Sequence, residues 1–222
     1  MDSPFDKLCI KLRNYLPEQT VSTIADWIID DRVKVKVTKS RSSKHGDYRP
    51  PANGVGHQIT INQDLNKYEF LITLVHEFAH LRTTRKYYYN RFFPKHVDPH
   101  GPEWKQEFKG LMHDFLQQGV FPEKIHTALL AYMADPAASS CSHLPLQRAI
   151  KQSDPDRQHL LHLEELPDNS VFRLSDGRVF RKLERRRKNY SCLELASGKM
   201  YIVSPIAEVT LENKALTNTV TN

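Results

Sequence analysis

Apolar residues recur along this chain at two spacings, and the change from one to the other divides it. From Phe5 the spacing is helical: Phe5, Leu8, Leu12 and Leu16 follow Ser3 and Pro4, and Val21, Ile24, Ala25 and Ile28 follow Pro17. Val33, Val35 and Val37 then alternate with Lys34 and Lys36, the pattern of a half-buried strand. The polar stretch from Ser40 to Gly56 contains Pro and Gly and predicts a loop, with Lys39, Arg41, Lys44 and Arg49 as solvated basic residues. His57–Asn62 (HQITIN) predicts a second strand. Asn66 with Glu69 three residues on has the form of a helix start, and Leu71, Leu74, Val75, Phe78 and Leu81 make one stripe behind it. Trp104, Phe108, Leu111, Met112, Phe115 and Leu116 form the stripe of a further helix stopped by Gly119. Another runs from Pro122 through Met133 and closes at Asp135-Pro136.

Past Lys151 the helical period fades. The charged segment KQSDPDRQHLLHLEELP predicts a linker, and short alternating runs follow it at 170–174, 178–184, 189–195, 199–203 and 208–212. Ser175-Asp176-Gly177 and Ser197-Gly198 supply turns between them. The expectation is an α+β chain: a first domain over 1–150, a linker over 151–168, a small antiparallel β domain over 169–213, and a polar tail over 214–222. The β domain is expected to be SH3-like, or ribbon-like without zinc.

Chemistry concentrates between Leu71 and Trp104. His76-Glu77-Phe78-Ala79-His80 is an HExxH sequence, and on a helix residues four apart share a face, so both imidazoles can reach one metal ion. Two neutral imidazoles suit Zn²⁺, and Glu77 is placed as the general base for a water beside it. A catalytic zinc needs a third protein ligand. Thr83 and Lys86 stand where a metzincin would carry Gly and His, which excludes that subclass. His96, His100 and Glu103 compete for the role; His100 is preferred because Gly101-Pro102 opens a helix directly after it. The order of helices, strands and then the HExxH helix is the layout of a small zincin-like metallopeptidase domain. A strand beside the cleft, HQITIN or its neighbour, would pair with an extended substrate. Tyr87, Tyr88, Tyr89, Arg91, Phe92 and Phe93 crowd the following segment and are expected to pack it onto the helix. Cys141-Ser142-His143 is too sparse to constitute a second metal site.

HEFAHLR, followed by HGPEW with 19 residues intervening between His80 and His100, resembles the SprT-like metallopeptidases, a family related to the Spartan proteases. GDYRPPANGVGHQITIN ahead of the helix is similar to the bacterial branch, and the resemblance covers roughly residues 20 to 135. It implies that His76, His80 and His100 bind zinc, that Glu77 is the catalytic base, and that the substrate is a protein or peptide. In the better-known members the C-terminal part is a zinc ribbon with paired cysteines. Here only Cys192 falls in that region, so a second zinc is not expected and packing alone must hold the sheet.

Charge adds a second candidate surface. Residues 171–190 hold Arg173, Arg178, Arg181, Lys182, Arg185, Arg186, Arg187 and Lys188 against Asp176 and Glu184. That local +6 equals the net charge of the whole chain, so the other 202 residues balance at 24 basic and 24 acidic. A basic hairpin over 173–188 on a neutral domain fits contact with a DNA backbone, without base readout. The N-terminus MDSPFDKLCIKLRNYL is too polar for a signal peptide, and no stretch is apolar enough to span a bilayer. Three distant cysteines (Cys9, Cys141, Cys192) favour a reducing, cytoplasmic setting without membrane attachment. Nothing in the sequence indicates an oligomeric state.

Overall fold

The computed structural model describes residues 3–41, 43–89, 96–137, 143–154 and 160–212. The chain forms two compact units, Met1–Ser153 and Asp154–Asn222.

In the first unit, helix α1 (Pro4–Leu12) starts at a reciprocal cap: Ser3 Oγ accepts from Asp6 N–H while the Asp6 carboxylate accepts from Ser3 N–H. A single 3₁₀ turn, Glu18–Thr20, leads into α2 (Val21–Asp30). Strands β1 (Lys34–Thr38), β2 (Gly46–Arg49) and β3 (Gln58–Asn62) form a sheet in the order β1-β3-β2, with β1 parallel and β2 antiparallel to β3. Two expectations change here. The 40–56 segment contains strand β2, which its polar GDYR sequence conceals because only Tyr48 is apolar. HQITIN is the central strand with both edges paired, so the edges open to an extended chain belong to β1 and β2. Arg41 donates to Asn62 and Thr60, and Lys44 and Arg49 both pair with Asp47, so three of the four basic loop residues have partners within the unit.

Helix α3 (Lys67–Thr83) is the axis of this unit. Asn66 caps it, its side-chain oxygen accepting from the N–H groups of Tyr68 and Glu69 at 3.1 and 3.0 Å. Leu71, Leu74, Val75, Phe78 and Leu81 are fully buried as the stripe predicts, but Phe70, Ile72 and Ala79 on the other faces are buried too. The helix therefore runs through the core instead of lying on it. It ends in a π-helical turn, Thr84–Tyr88, in which Tyr89 N–H donates to Thr84 C=O. Helices α4 (Pro102–Gln117) and α5 (Glu123–Ala134) follow, and Gly119 just past α4 takes a positive φ of 65°. A further helix, α6 (Leu144–Gln152), buries Leu146, Ala149 and Ile150, and Ile150 C=O accepts from the Asn66 side chain.

The second unit is one six-stranded antiparallel sheet in the order β4-β9-β5-β6-β7-β8. Its strands are β4 (Leu161–His162), β5 (Val171–Leu174), β6 (Val179–Arg186), β7 (Asn189–Glu194), β8 (Met200–Val203) and β9 (Glu208–Leu211). Phe172, Phe180, Cys192, Val203 and Val209 fill its core. Leu163 and Leu166, inside the segment expected as linker, join that core, and β4 pairs with β9, so the sheet begins before residue 169. Gly177 and Gly198 take positive φ values of 86° and 68° at the two expected turns. The basic run is not uniform. Lys182 is 2% exposed and donates to Leu166 C=O, while Arg173 pairs with Glu212 and Arg178 with Asp176. Arg181, Arg185, Arg186, Arg187 and Lys188 are exposed.

Candidate metal centre

His76 and His80 project from α3, one turn apart on the same face, as the helical period requires. His100 comes from the other side, on the turn that precedes α4. Gly101 N–H donates to Asp98 C=O to close that turn, and Pro102 starts the helix. His100 itself has φ +64°, a left-handed conformation uncommon for residues other than Gly, though His joins Asn and Asp among those that take it more often. Such a conformation costs on the order of 1 kcal/mol or more and persists where the surroundings impose it.

The three Nε2 atoms converge. They lie 3.1 Å (His76–His100), 3.2 Å (His76–His80) and 2.9 Å (His80–His100) apart. Ligands about 2.0–2.1 Å from one ion at tetrahedral angles stand roughly 3.3 Å from each other, so this triangle fits a single cation with little adjustment. The charge state fits as well. Burial, helped by the neighbouring imidazoles, pushes His76 well below the usual histidine range and His80 down to about 3, and burial lowers His100. All three are neutral near pH 7 and present lone pairs to one point. The group can hold a metal ion. Trp104, fully buried on α4, backs the site: its ring centroid lies 4.6, 5.3 and 4.7 Å from those of His76, His80 and His100. These contacts limit ring rotation and hold the imidazoles ready.

The other sequence candidates fall elsewhere. His96 is exposed, its ring 5.6 Å from Tyr88, and neither it nor Glu103 belongs to the convergent group. His113 is exposed on α4, and His143 caps α6 by accepting from Leu146 N–H. Cys141, Arg91, Phe92 and Phe93 lie outside the described residues.

Glu77 sits on the turn between His76 and His80 and is 6% exposed. Burial, with help from the Asp47 charge, raises its carboxyl to about 8, against a hydrogen bond from Tyr48 N–H that favours the ionised form. A dication at the histidines would draw it back down. The β2 backbone approaches Glu77 so closely that a Cβ on Gly46 would lie 2.5 Å from Glu77 Oε1 and 2.8 Å from Thr73 Cγ2. Gly46 and Tyr48 thus form one wall of the site, and both were read as loop. The signal that could have found Gly46 is its place in GDYR ahead of the central strand, but its closeness to α3 is a tertiary fact.

Beyond His80 the π turn directs Tyr88 and Tyr89 outward, where they are 43% and 54% exposed. They do not simply pack the segment onto the helix as expected. With His80 and Trp104 they line a cavity of about 440 Å³.

No family model, curated protein or solved structure matches the chain. Among the described residues no helix is long and apolar enough to cross a membrane.

Proposed function

We propose that the first unit is a zincin-like, SprT-like zinc peptidase, with Zn²⁺ on His76, His80 and His100 and with Glu77 as base. The observation that carries this reading is the convergence of three neutral imidazoles within 3.2 Å of one another beside a buried carboxylate on the helix that bears two of them. Three protein ligands are the catalytic pattern, since structural zinc is usually held by four. A zinc ion there would supply Lewis-acid polarisation of a water and of the scissile carbonyl. The chain does the rest. Glu77 takes the proton of the attacking water on a carboxylate oxygen and returns it to the leaving amine. Tyr48 N–H holds that carboxylate in place.

Substrate positioning falls to the β2 edge. Asn62 N–H donates to His45 C=O, so the alternation of an antiparallel pair turns the main-chain groups of Gly46 and Tyr48 away from β3, and with Tyr48 N–H given to Glu77 the Gly46 groups and Tyr48 C=O face the substrate. An extended peptide laid along this edge meets backbone, which gives affinity with little sequence preference. The direct test is cleavage of an unfolded protein by the zinc-loaded chain; absence of any cleavage would sink the reading. Gly46→Ala probes the wall. Its methyl would collide with the Glu77 carboxylate, so kcat is expected to fall about 10- to 100-fold with KM and zinc content nearly unchanged. A wild-type kcat would show that Glu77 does not depend on this contact.

A second reading concerns the other unit. We propose that the β6–β7 hairpin contacts a nucleic-acid backbone through Arg181, Arg185, Arg186, Arg187 and Lys188, which are exposed around the turn. Lys182 is withdrawn into the core and contributes nothing. Charge reversal at Arg185, Arg187 and Lys188 is expected to weaken DNA binding at least tenfold. The slope of log affinity against log salt should fall by about 0.9 for each lost contact. Binding by fluorescence anisotropy across a salt series checks this, and an unchanged slope would remove the hairpin from the interface. If zinc proves purely structural, this hairpin leaves a nucleic-acid-binding protein as the alternative function.

A further inference from the structure

The cavity beside His80 is continuous with the metal centre, because His80 and Trp104 belong to both. Its walls are apolar and aromatic: Tyr48, Tyr88, Val97 and Pro99. They are also fixed. Tyr48 Oη lies 2.9 Å from His57 Nδ1 and is bonded to Thr84, which ties the ring to the start of the π turn. Tyr88 Oη donates to Val97 C=O at 3.4 Å, linking the wall from the π turn to the one that precedes the third histidine. The π turn is what makes the space, since a continued α-helix would place Tyr88 and Tyr89 at different angles around the axis. At about 440 Å³ the cavity lies within the range of small-ligand pockets and has room for one large side chain. The charged lining residue is Asp98, which disfavours an acidic occupant, and no lysine or arginine lines the cavity among the described residues.

We infer that this cavity is the subsite for a large apolar, preferentially aromatic, side chain of the peptide substrate, next to the scissile bond. The occupant follows from position: a side chain seated against His80 belongs to a residue whose backbone passes the metal centre. Backbone pairing along β2 is indifferent to sequence, so this pocket supplies the selectivity of the site. The inference rests on the peptidase reading for what lies beside the pocketed side chain, and not for the preference itself.

The test uses the full chain carrying Glu77→Gln, with and without zinc, so that binding is read apart from turnover. Acetyl-Gly-X-Gly-amide peptides with X as Phe, Leu, Ala or Asp are titrated by NMR. The Phe peptide is expected to bind about 10- to 100-fold tighter than the Ala peptide, from burial of its ring, with Leu between and Asp weakest. Tyr88→Ala should cut the Phe-to-Ala ratio to a few-fold, whereas Tyr87→Ala, outside the cavity, should leave it alone. Equal binding of Phe and Ala, no measurable binding of either, or a ratio untouched by Tyr88→Ala would each overturn the subsite. Cleavage on the Glu77 background separates the two ideas. A binding preference without any cleavage leaves the pocket and removes the peptidase; cleavage indifferent to X does the reverse.

Discussion

Replacing His100 by alanine is expected to drop bound zinc from about one per chain to near none, with an affinity loss exceeding a hundredfold. Substitutions that only reorient a ligand cost about 10- to 100-fold, and removing one of three donors must cost more. The fold should survive. His100 lies half-buried on a turn whose closing bond, Gly101 N–H to Asp98 C=O, is main-chain, and Pro102 still starts α4. Without metal, the three neutral imidazoles at 2.9–3.2 Å share hydrogen bonds that their tautomers set, so removing one ring takes away little. The metal-free variant should therefore melt close to the metal-free wild type. Metal analysis of wild type, His100→Ala and His96→Ala side by side checks the assignment, with His96→Ala behaving as wild type. Full zinc retention in His100→Ala would put the third ligand elsewhere.

His100 shows where sequence reasoning reaches and where it stops. The HExxH pair is local, because helical period alone brings His76 and His80 to one face. His100 lies 20 residues past His80, and its claim over His96 and Glu103 rested on a helix start and on family resemblance. What brings it to the pair in space is the packing of Trp104 against all three rings, a contact between α3 and α4 that no local pattern encodes. Strand β2 was hidden for a related reason. GDYR has no alternation and only one strong β-former, Tyr48, and its extended state comes from pairing with β3 and from the fit of Gly46 against α3. Helix α3 was placed correctly, but its stripe suggested one buried face where all are covered; Phe70, Ile72 and Ala79 carried that information outside the stripe. Lys182 was readable in principle. It stands two residues from Phe180 on the same face of β6, so its charge was bound to be turned inward and satisfied by Leu166 C=O instead of by a ligand.

Glu77→Gln is expected to lower cleavage by about 10²–10⁴-fold while zinc content stays at the wild-type level. The amide has the shape of the carboxyl, and its oxygen can still accept from Tyr48 N–H, so neither the ligands nor the β2 wall should move. What is lost is the capacity to take a proton. Activity requires the ionised carboxylate, so the wild-type rate should climb with pH through the Glu77 titration, and that limb should be missing from the residual rate of the variant. Stability separates this role from mere packing. In the metal-free chain burial raises Glu77 to about 8, above its ordinary 4.5. A raised value means that the protonated form suits the fold: the contribution is fully present below 4.5 and is lost as pH rises toward 8. Glutamine is neutral at every pH, so metal-free Glu77→Gln should melt higher than metal-free wild type at pH 8, and the gap should close near pH 4. Full activity in the variant would rule out Glu77 as the base. Loss of zinc along with activity would mean that the carboxylate supports the metal, and the base would then have to be sought on the β2 side of the site.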